Sequence, residues 1–236
     1  SGATKVEAVK NVSVTLRAGE PIGIVGESGS GKSTLARVLA GLQPPTSGEV
    51  FFNGQPVYKG AKSYTGEARR QVQMVFQDPY GSLNPQLTGL SAVSEAVRIH
   101  DKCDKKESEV RALQLLQRMG IAELDALKKP RQLSGGQRQA VAICRAAGWG
   151  SRVVIMDEPT AALGVRETAK VEDLIKRMKD QGLAILLISH NFDQVLRLAD
   201  HIWVMRQGNV MAGMRANDTS GDELVALITG ASAGKK

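Results

Sequence analysis

The order of apolar and polar residues changes character several times along the chain. Residues 6–16 alternate, and a continuous apolar run from Ile22 to Val25 follows a turn at Ala18-Gly19-Glu20. This pattern predicts a strand on each side of the turn, the second one buried and ending at Gly26. From Ser33 the apolar residues follow helical spacing, so a helix is expected directly after the second strand.

The next segments predict a small β region and then a helical insert. Asn53-Gly54 separates two short runs that are typical of a hairpin, and a further strand is expected over residues 71–77. From residue 78 to residue 132 the sequence is first rich in turn residues and then helical. Helices are predicted at Ser91–His100 and Lys105–Met119.

After this insert, strand and helix patterns alternate again. Buried strands are expected at residues 153–158 and 183–190, with a helix between them that Gly182 ends. A helix within residues 191–201 then leads into a hairpin that turns at Gln207-Gly208-Asn209.

These patterns together predict the fold class and its division. Apolar strands that alternate with helices indicate an α/β fold with a mostly parallel sheet, an antiparallel β subdomain and a helical insert. The core would comprise residues 1–77 and 133–236, and the helical subdomain, residues 78–132, would lie between them.

Composition restricts the classes of function. The chain has 236 residues and a net charge of +7, but its Lys and Arg residues are dispersed and aromatic residues are few. Dispersed charge with few side chains for stacking does not favour a nucleic-acid surface, so we expect no nucleic-acid partner. No apolar run approaches the roughly 18 residues of a membrane span. Cys103 and Cys144 lack a metal-like spacing.

A complete phosphate-loop pattern, Gly-x-x-x-x-Gly-Lys-Ser, lies between the second strand and its helix. Its residues, with the threonine that follows, are Gly26, Glu27, Ser28, Gly29, Ser30, Gly31, Lys32, Ser33 and Thr34. Glycines let backbone N–H groups converge on phosphate oxygens, and the helix N-terminus adds a positive dipole end. Lys32 is expected to reach the β- and γ-phosphates, and the Ser33 hydroxyl suits Mg²⁺. We therefore expect a phosphate-loop NTPase core that binds the phosphates of a nucleotide together with Mg²⁺.

Two acids end the strand predicted at residues 153–158. Asp157 can hold Mg²⁺ through water, and Glu158 can polarise an attacking water. Two acids after a strand are by themselves often an N-cap and a surface charge. In a chain with a phosphate loop, the catalytic interpretation is favoured.

The segment Leu133–Gln139 predicts a second anion site. Ser134 is a natural N-cap, and Gly135 and Gly136 expose backbone N–H groups at the start of a helix. One chain has no obvious use for two such sites. Two chains that face each other head to tail would use both, each closing the nucleotide of the other.

With these motifs the chain resembles the nucleotide-binding domain of ATP-binding cassette (ABC) transporters over essentially its whole length. The family's signature corresponds to Leu133-Ser134-Gly135-Gly136-Gln137, its glutamine loop to Gln77 and its switch histidine to His190. The resemblance implies that Gln77 contacts Mg²⁺ and senses nucleotide, and that His190 contacts the γ-phosphate.

The resemblance also implies a full set of site residues. Nucleotide contacts are expected from the phosphate loop, from Gln77, and from Ser134, Gly135, Gly136 and Gln137. The expected metal ligands are Ser33, Gln77 and Asp157. The expected catalytic residues are Glu158, His190 and Lys32.

The resemblance differs between the two halves of the chain. Residues 23–42, 75–86 and 96–100 resemble dipeptide and oligopeptide uptake ATPases, whereas residues 158–168, 188–208 and 219–231 resemble monosaccharide uptake ATPases. This split raises the hypothesis that the chain is a chimera or a recombined design, and leaves a natural chain equally open. It leaves both peptide and sugar open as the transported solute.

Two positions depart from the family pattern. The loop after the acidic strand usually ends in Asp, and Gly164 stands there, as in sugar-type members. No aromatic residue precedes Phe51, so the usual adenine-stacking side chain is missing from the expected place.

The implied function is ATP hydrolysis that energises solute import. The expected assembly is a head-to-tail homodimer or heterodimer of ATPase subunits, bound to transmembrane subunits on the cytoplasmic, inner face of the cell membrane. A soluble ABC ATPase acting on nucleic acid is an alternative, but the segment between Ser33 and Leu133 lacks the long coiled coil of chromosome-maintenance members. An engineered nucleotide-binding fold with weak turnover is the other alternative, which ATP hydrolysis by the purified chain would distinguish.

Overall fold

The computed structural model has a six-stranded sheet at its centre. The described residues are 7–59, 63–64, 66–77, 81, 83–147, 150–161 and 163–231. The strands are β1 (Ile22–Gly26), β2 (Phe51–Phe52), β3 (Gln55–Pro56), β4 (Tyr58–Lys59), β5 (Ser63–Tyr64), β6 (Val72–Val75), β7 (Val153–Asp157), β8 (Ala184–Ile188), β9 (His201–Arg206) and β10 (Asn209–Arg215). The helices are α1 (Lys32–Leu39), α2 (Gly66–Gln71), α3 (Gly89–Asp101), α4 (Lys105–Arg118), α5 (Glu123–Ala126), α6 (Gly135–Ala147), α7 (Val165–Asp180), α8 (Phe192–Leu198) and α9 (Gly221–Thr229).

The sheet has the order β10-β9-β1-β8-β7-β6. Its strands are parallel except for β10, which pairs antiparallel with β9. In register, Ile24 lies opposite Ile188, and Met156 lies opposite both Val75 and Leu187. The carboxyl ends of these strands therefore meet at one edge, where α/β proteins bind their ligands. The predicted α/β fold with a mostly parallel sheet is confirmed.

Helices cover both faces of this sheet. Strands β1 and β8 are buried along their whole length, as expected of parallel strands between two helical layers. Along β7, Met156 belongs to the apolar cluster under α6, α7 and α8, whereas Ile155 belongs to the cluster on the opposite face, together with Leu35 of α1. The two-residue period of the strand thus divides its side chains between two cores.

The helical insert has an apolar cluster of its own. Val93 of α3 and Leu116 of α4 are fully buried in it. Helix α6 joins this cluster to the sheet, because Val141 packs with the insert and Ile143 packs with the sheet cluster. A helical layer is therefore present as predicted, while its proposed limits at residues 78 and 132 stay a prediction.

The antiparallel β region is attached to the end of α1 by tyrosine hydroxyls. Tyr64 Oη donates to Leu39 O at 2.8 Å, and Tyr58 Oη donates to Val38 O at 2.6 Å. These carbonyls lie in the last turn of the helix, where the regular i to i+4 hydrogen bonds end. Burial raises the pKa of Tyr64 to about 12, so the hydroxyl stays a donor at neutral pH.

The strand predicted before the first turn is wrong. Residues 7–16 form no strand, and only an isolated bridge joins Arg17 to Glu20 around the turn. The apolar residues of this segment, among them Val12 and Val14, pack against the cluster that also contains Ile24. The alternation therefore records burial of one side of an irregular segment, and it does not record pairing with another strand.

The remaining predicted elements are present with small shifts at their ends. The hairpins turn at Asn53-Gly54 and at Gln207-Gly208, although Asn209 already belongs to β10. Residues 78–80 and 82 of the predicted turn-rich loop lie outside the described residues. Within the described part of the chain, no helix has the length and apolar character needed to cross a membrane.

Candidate active site

The phosphate loop connects the end of β1 to the start of α1. Gly31, the N-cap of α1, has a φ of 104°, which an L side chain rarely adopts. A Cβ at this position would lie 2.2 Å from Ala8 O, and one at Gly26 would lie 2.1 Å from Met205 O. The loop is therefore packed too closely for side chains at these two glycines. The tip residues Glu27, Ser28 and Gly29 are exposed, and Ser33 and Thr34 are half-buried in the first turn of α1.

Lys32 is buried and folds back onto its own loop. Its Nζ donates to Gly26 O at 2.8 Å, to Glu27 O at 2.7 Å and to Ser30 Oγ at 3.3 Å. These bonds engage all three donors of an ammonium group. Desolvation lowers the pKa of Lys32, and the charges of Glu158 and Asp157 oppose that shift. The cation is thus held at the end of β1 beside two acids from β7.

The two acids occupy different environments at the end of β7. Asp157 is buried as the last residue of the strand. Glu158 follows it with a φ of 52°, a left-handed backbone that costs a non-glycine residue about 1–3 kcal/mol. Its N–H donates to Ile188 O at 2.9 Å, and its own carbonyl accepts from Ala161 N at 3.1 Å. These bonds hold the strained turn that directs the Glu158 side chain.

His190 meets Glu158 in the structure. Its Nδ1 lies 2.8 Å from Glu158 Oε2. The His190 side chain is 74% exposed, whereas the Glu158 side chain is 13% exposed. The sequence predicted a contact between His190 and a γ-phosphate, and the structure adds a contact with the catalytic candidate itself. A sequence pattern contains no signal for this pairing, because the two residues follow different strands.

The predicted metal ligands suit Mg²⁺ in their chemistry. Ser33, Gln77 and Asp157 offer hydroxyl, amide and carboxylate oxygens, the donors that Mg²⁺ prefers. Gln77 is exposed, two residues beyond β6, at the sheet edge where Asp157 ends β7. Across the described residues, no cluster of three or more His, Cys, Asp or Glu residues exists that could hold a metal unaided. A hydroxyl, an amide and a carboxylate fit an ion such as Mg²⁺, which is usually bound by one or two carboxylates together with substrate phosphates.

The signature segment begins α6 with the predicted cap. Ser134 Oγ accepts from Gln137 N at 3.2 Å, and Gln137 Oε1 accepts from Ser134 N at 2.9 Å, which forms a capping box. Gln137 Nε2 also donates to Asp125 Oδ2 at 2.7 Å. Ser134 is exposed. Gly136 packs against Glu167 so closely that a Cβ would lie 2.4 Å from Glu167 Cγ.

The glycine at position 164, where the family usually has Asp, has a local explanation. Gly164 is the N-cap of α7 with an extended backbone, and it has no side chain to cap the helix. A Cβ at this position would lie 2.7 Å from Glu167 Oε2. An Asp there would therefore bring a second carboxylate against Glu167, a repulsive contact unless Glu167 moved.

Sequence reasoning missed a buried polar network next to this site. Its centre is Gln194 of α8, which is fully buried, and it includes Glu172 of α7. The sequence contained one signal for this network, because in both α7 and α8 a polar residue lies on the buried, otherwise apolar face. Glu172, for example, directly follows Val171, which belongs to the apolar stripe of α7.

Comparison with known proteins identifies relatives of the chain. A family model described as "ABC transporter" matches residues 9–161. The oligopeptide transport ATP-binding protein OppF of Bacillus subtilis is 41% identical over 210 residues, which cover 87% of this chain and 68% of that protein. A putative peptide import ATP-binding protein of Brucella abortus is 38% identical over 212 residues, which cover 89% of this chain. The chain thus spans 64% of the length of the Brucella relative.

Solved structures of ATP-binding cassettes have the same fold. A dimeric post-hydrolysis state of the cassette MJ0796 with ADP and Pi superposes with a TM-score of 0.81 at 30% identity, and it covers 92% of this chain and 94% of that one. A cbiO1 structure from Clostridium perfringens, part of a cbiONQ transporter complex, gives a TM-score of 0.79 at 29% identity, with coverage of 92% and 86%. Because its phosphate loop, acidic strand end and capped signature helix lie in a chain that matches the family model over more than half its length, the chain belongs to the ABC transporter family.

Proposed function

We propose that this chain is the ATP-binding and ATP-hydrolysing part of a peptide importer. The observation that carries the proposal is the convergence of Lys32, Asp157, Glu158 and His190 at one edge of the sheet. Each of them stands where the family's motif has a functional residue. A cation, two acids and a histidine beside a phosphate loop are the groups that phosphoryl transfer to water requires.

Lys32 and the loop would bind the nucleotide. The carbonyl oxygens of Gly26 and Glu27 accept hydrogen bonds from the ammonium group and hold it at the loop. Phosphate oxygens would give the ammonium stronger, charge-assisted hydrogen bonds than these neutral carbonyls do. The residues that form the loop, Gly26 to Thr34, would supply further N–H donors from the start of α1.

Glu158 would accept a proton from the attacking water. Its carboxylate is largely shielded from solvent and contacts His190, so its position is defined before substrate arrives. His190 uses Nδ1 for this contact, and the opposite ring nitrogen, Nε2, would face the γ-phosphate. Lys32 would stabilise the charge that develops on the phosphate oxygens.

Ser33, Asp157 and Gln77 would hold Mg²⁺ beside the phosphates, with Asp157 acting through water. Bound there, the ion would neutralise charge on the β- and γ-phosphates. Asp157 is buried and fixed at the end of β7, and Ser33 lies in the first turn of α1. The chain would therefore present two of these oxygens on the rigid elements β7 and α1, and the third on the exposed side chain of Gln77.

Two copies would assemble head to tail, with the signature of one closing the nucleotide of the other. Support comes from the dimeric cassette structures that resemble this chain. It also comes from the exposure of Ser134 at the start of α6. The signature residues Ser134, Gly135, Gly136 and Gln137 would then complete the partner's site.

The solute and the membrane partner are proposed from the relatives. Names that refer to peptide, oligopeptide or glutathione import belong to proteins whose match covers 87–89% of this chain. Such a match extends over both halves, and it gives no support to the sugar assignment or to a chimera. Transmembrane subunits would dock on the helical insert, whose exposed apolar side chains include Ile99, Leu124 and Leu127. The chain would then work on the inner face of the cell membrane.

A single substitution tests the catalytic part of this proposal. Glu158→Gln should keep ATP binding and lower multiple-turnover phosphate release by about a hundredfold or more, because the amide keeps the shape but cannot take a proton. Glu95→Gln, on the exposed surface of α3, is the matched control and should leave turnover unchanged. Phosphate release by Glu158→Gln close to that of the parent would contradict the role of Glu158.

A further inference from the structure

A buried network of hydrogen bonds lies directly behind the proposed catalytic residues. At its centre is Gln194 of α8, which is 0% exposed. Gln194 Oε1 accepts from Thr160 Oγ1 at 3.0 Å and from Ser189 Oγ at 3.1 Å. Its Nε2 donates to Glu172 Oε1 at 3.3 Å. One amide therefore joins two loops to a helix.

The two hydroxyl partners belong to the segments that carry Glu158 and His190. Thr160 lies two residues after Glu158, within the turn closed by the bond from Ala161 N to Glu158 O. Ser189 directly precedes His190, and its Oγ also accepts from Asn191 N at 3.1 Å. The 2.8 Å contact between Glu158 and His190 thus has a second link behind it, through Gln194.

Glu172 anchors this link to the helical layer. Its side chain is nearly buried, and Oε1 also accepts from Arg197 at 2.8 Å. A buried carboxylate is costly unless it is paired and hydrogen-bonded, and here both conditions are met. Position 194 therefore needs a group that accepts from two hydroxyls and donates to a carboxylate. An amide does both, whereas an ionised carboxylate can only accept.

We propose that Gln194 is a positioning residue for ATP hydrolysis, which holds the Glu158 and His190 segments in the relation that their contact requires. Gln194 is fully buried, so its effect on turnover acts through these two neighbours. This inference rests on the proposed function, because it assumes that Glu158 and His190 act in the reaction.

A single variant, Gln194→Glu, and a double variant that exchanges the amide and the acid at constant charge test the proposal. In Gln194→Glu two carboxylates would meet at a contact now spanning 3.3 Å, so the Thr160 and Ser189 links should be displaced. We expect kcat to fall by about tenfold or more while KM for ATP and equilibrium binding of ATP stay unchanged. Adding Glu172→Gln restores a donor opposite the new carboxylate, and the double variant should recover most of the lost kcat. The control is Gln114→Glu on the exposed face of α4, which makes the same amide-to-acid change away from the network and should leave kcat unchanged.

Several outcomes would overturn the proposal. A parent-like kcat in Gln194→Glu would do so. The proposal would also fail if Gln194→Glu lost kcat, ATP binding and thermal stability together and the double variant did not restore them. If Gln194→Glu does not fold, Thr160→Val and Ser189→Ala remove the two hydroxyl links separately. Each should lower kcat and leave ATP binding intact, and parent-like turnover in both would refute the link. Glu158→Gln measured in parallel keeps the questions separate, since normal turnover there would refute the proposed function instead.

Discussion

Two glycine-rich segments of this chain precede a helix, and the structure uses them in different ways. The phosphate loop closes inward, with a buried lysine bound to the carbonyls of its own loop. The signature segment faces outward, with an exposed Ser134 that caps α6 together with Gln137. Both present backbone N–H groups and the positive end of a helix dipole.

The difference lies in what the neighbouring elements contribute. Beside the phosphate loop, β7 brings Asp157 and Glu158 close enough to act on the charge of Lys32. Beside the signature, the neighbour is α7, whose Glu167 packs on Gly136. One helix start thus lies beside the groups proposed to form a reaction centre within a single chain. The other has the same backbone chemistry beside a different neighbour, as expected of a surface that completes another molecule's site.

The largest effect on ATP binding is expected at the lysine. Lys32→Ala removes the charge proposed to bind the phosphates, and hydrogen bonds to a charged group contribute about 1.5–3 kcal/mol each, so ATP affinity should fall by at least about tenfold. Equilibrium binding of a labelled ATP analogue measures this. Lys176→Ala, on the exposed side of α7, removes the same charge elsewhere and should bind as the parent does. Unchanged affinity in Lys32→Ala would mean that the inward loop is not the nucleotide site.

The next effect concerns assembly through the outward segment. In the Glu158→Gln background, Mg-ATP should produce a dimer and ADP should not, because in the proposed assembly the γ-phosphate would bridge the two chains and a ligand stabilises the state that it binds. Adding Ser134→Arg should abolish the dimer and leave ATP binding at Lys32 nearly intact. Light scattering at millimolar ATP and high protein concentration measures the association.

The chain provides a matched control for this variant. Ser220 is also an N-cap serine, whose Oγ accepts from Glu223 N at 3.3 Å. Ser220→Arg loses a cap and adds the same charge at the start of α9, so its dimer should persist. A dimer that survives Ser134→Arg, or that Ser220→Arg also abolishes, would leave the signature without the specific role assigned to it.

The smallest effect separates the cap from the interface. Ser134→Ala should lower the free energy of unfolding by about 1 kcal/mol, the usual cost of losing an N-cap. Ser220→Ala should cost a similar amount, and neither should change ATP affinity of the monomer. Denaturant titration compares the two variants. A much larger loss at Ser134 would show that its hydroxyl supports more of the fold than the first turn of α6.

Local sequence was sufficient for the features that depend on neighbours along the chain. The buried run at Ile22–Val25, the loop that follows it and the cap at Ser134 all follow from the sequence, because apolar periodicity, glycine and capping side chains act within a few residues. The family motifs have this local character too. The amino-acid order alone therefore indicates the candidate residues from Gly26 to Thr34 and at Asp157 and Glu158.

Contacts between distant segments depend on the folded chain. Alternation in residues 6–16 predicted a strand, but among the described strands none pairs with residues 7–16, whose apolar side chains pack against a core cluster instead. The contact of Glu158 with His190 and the burial of Gln194 between two loops and a helix depend on strand order and helix packing. Those contacts join residues more than thirty positions apart in some cases, such as Thr160 with Gln194, whose separation is 34. A local pattern contains no record of them, because their geometry exists only once the parallel strands have placed their carboxyl ends side by side.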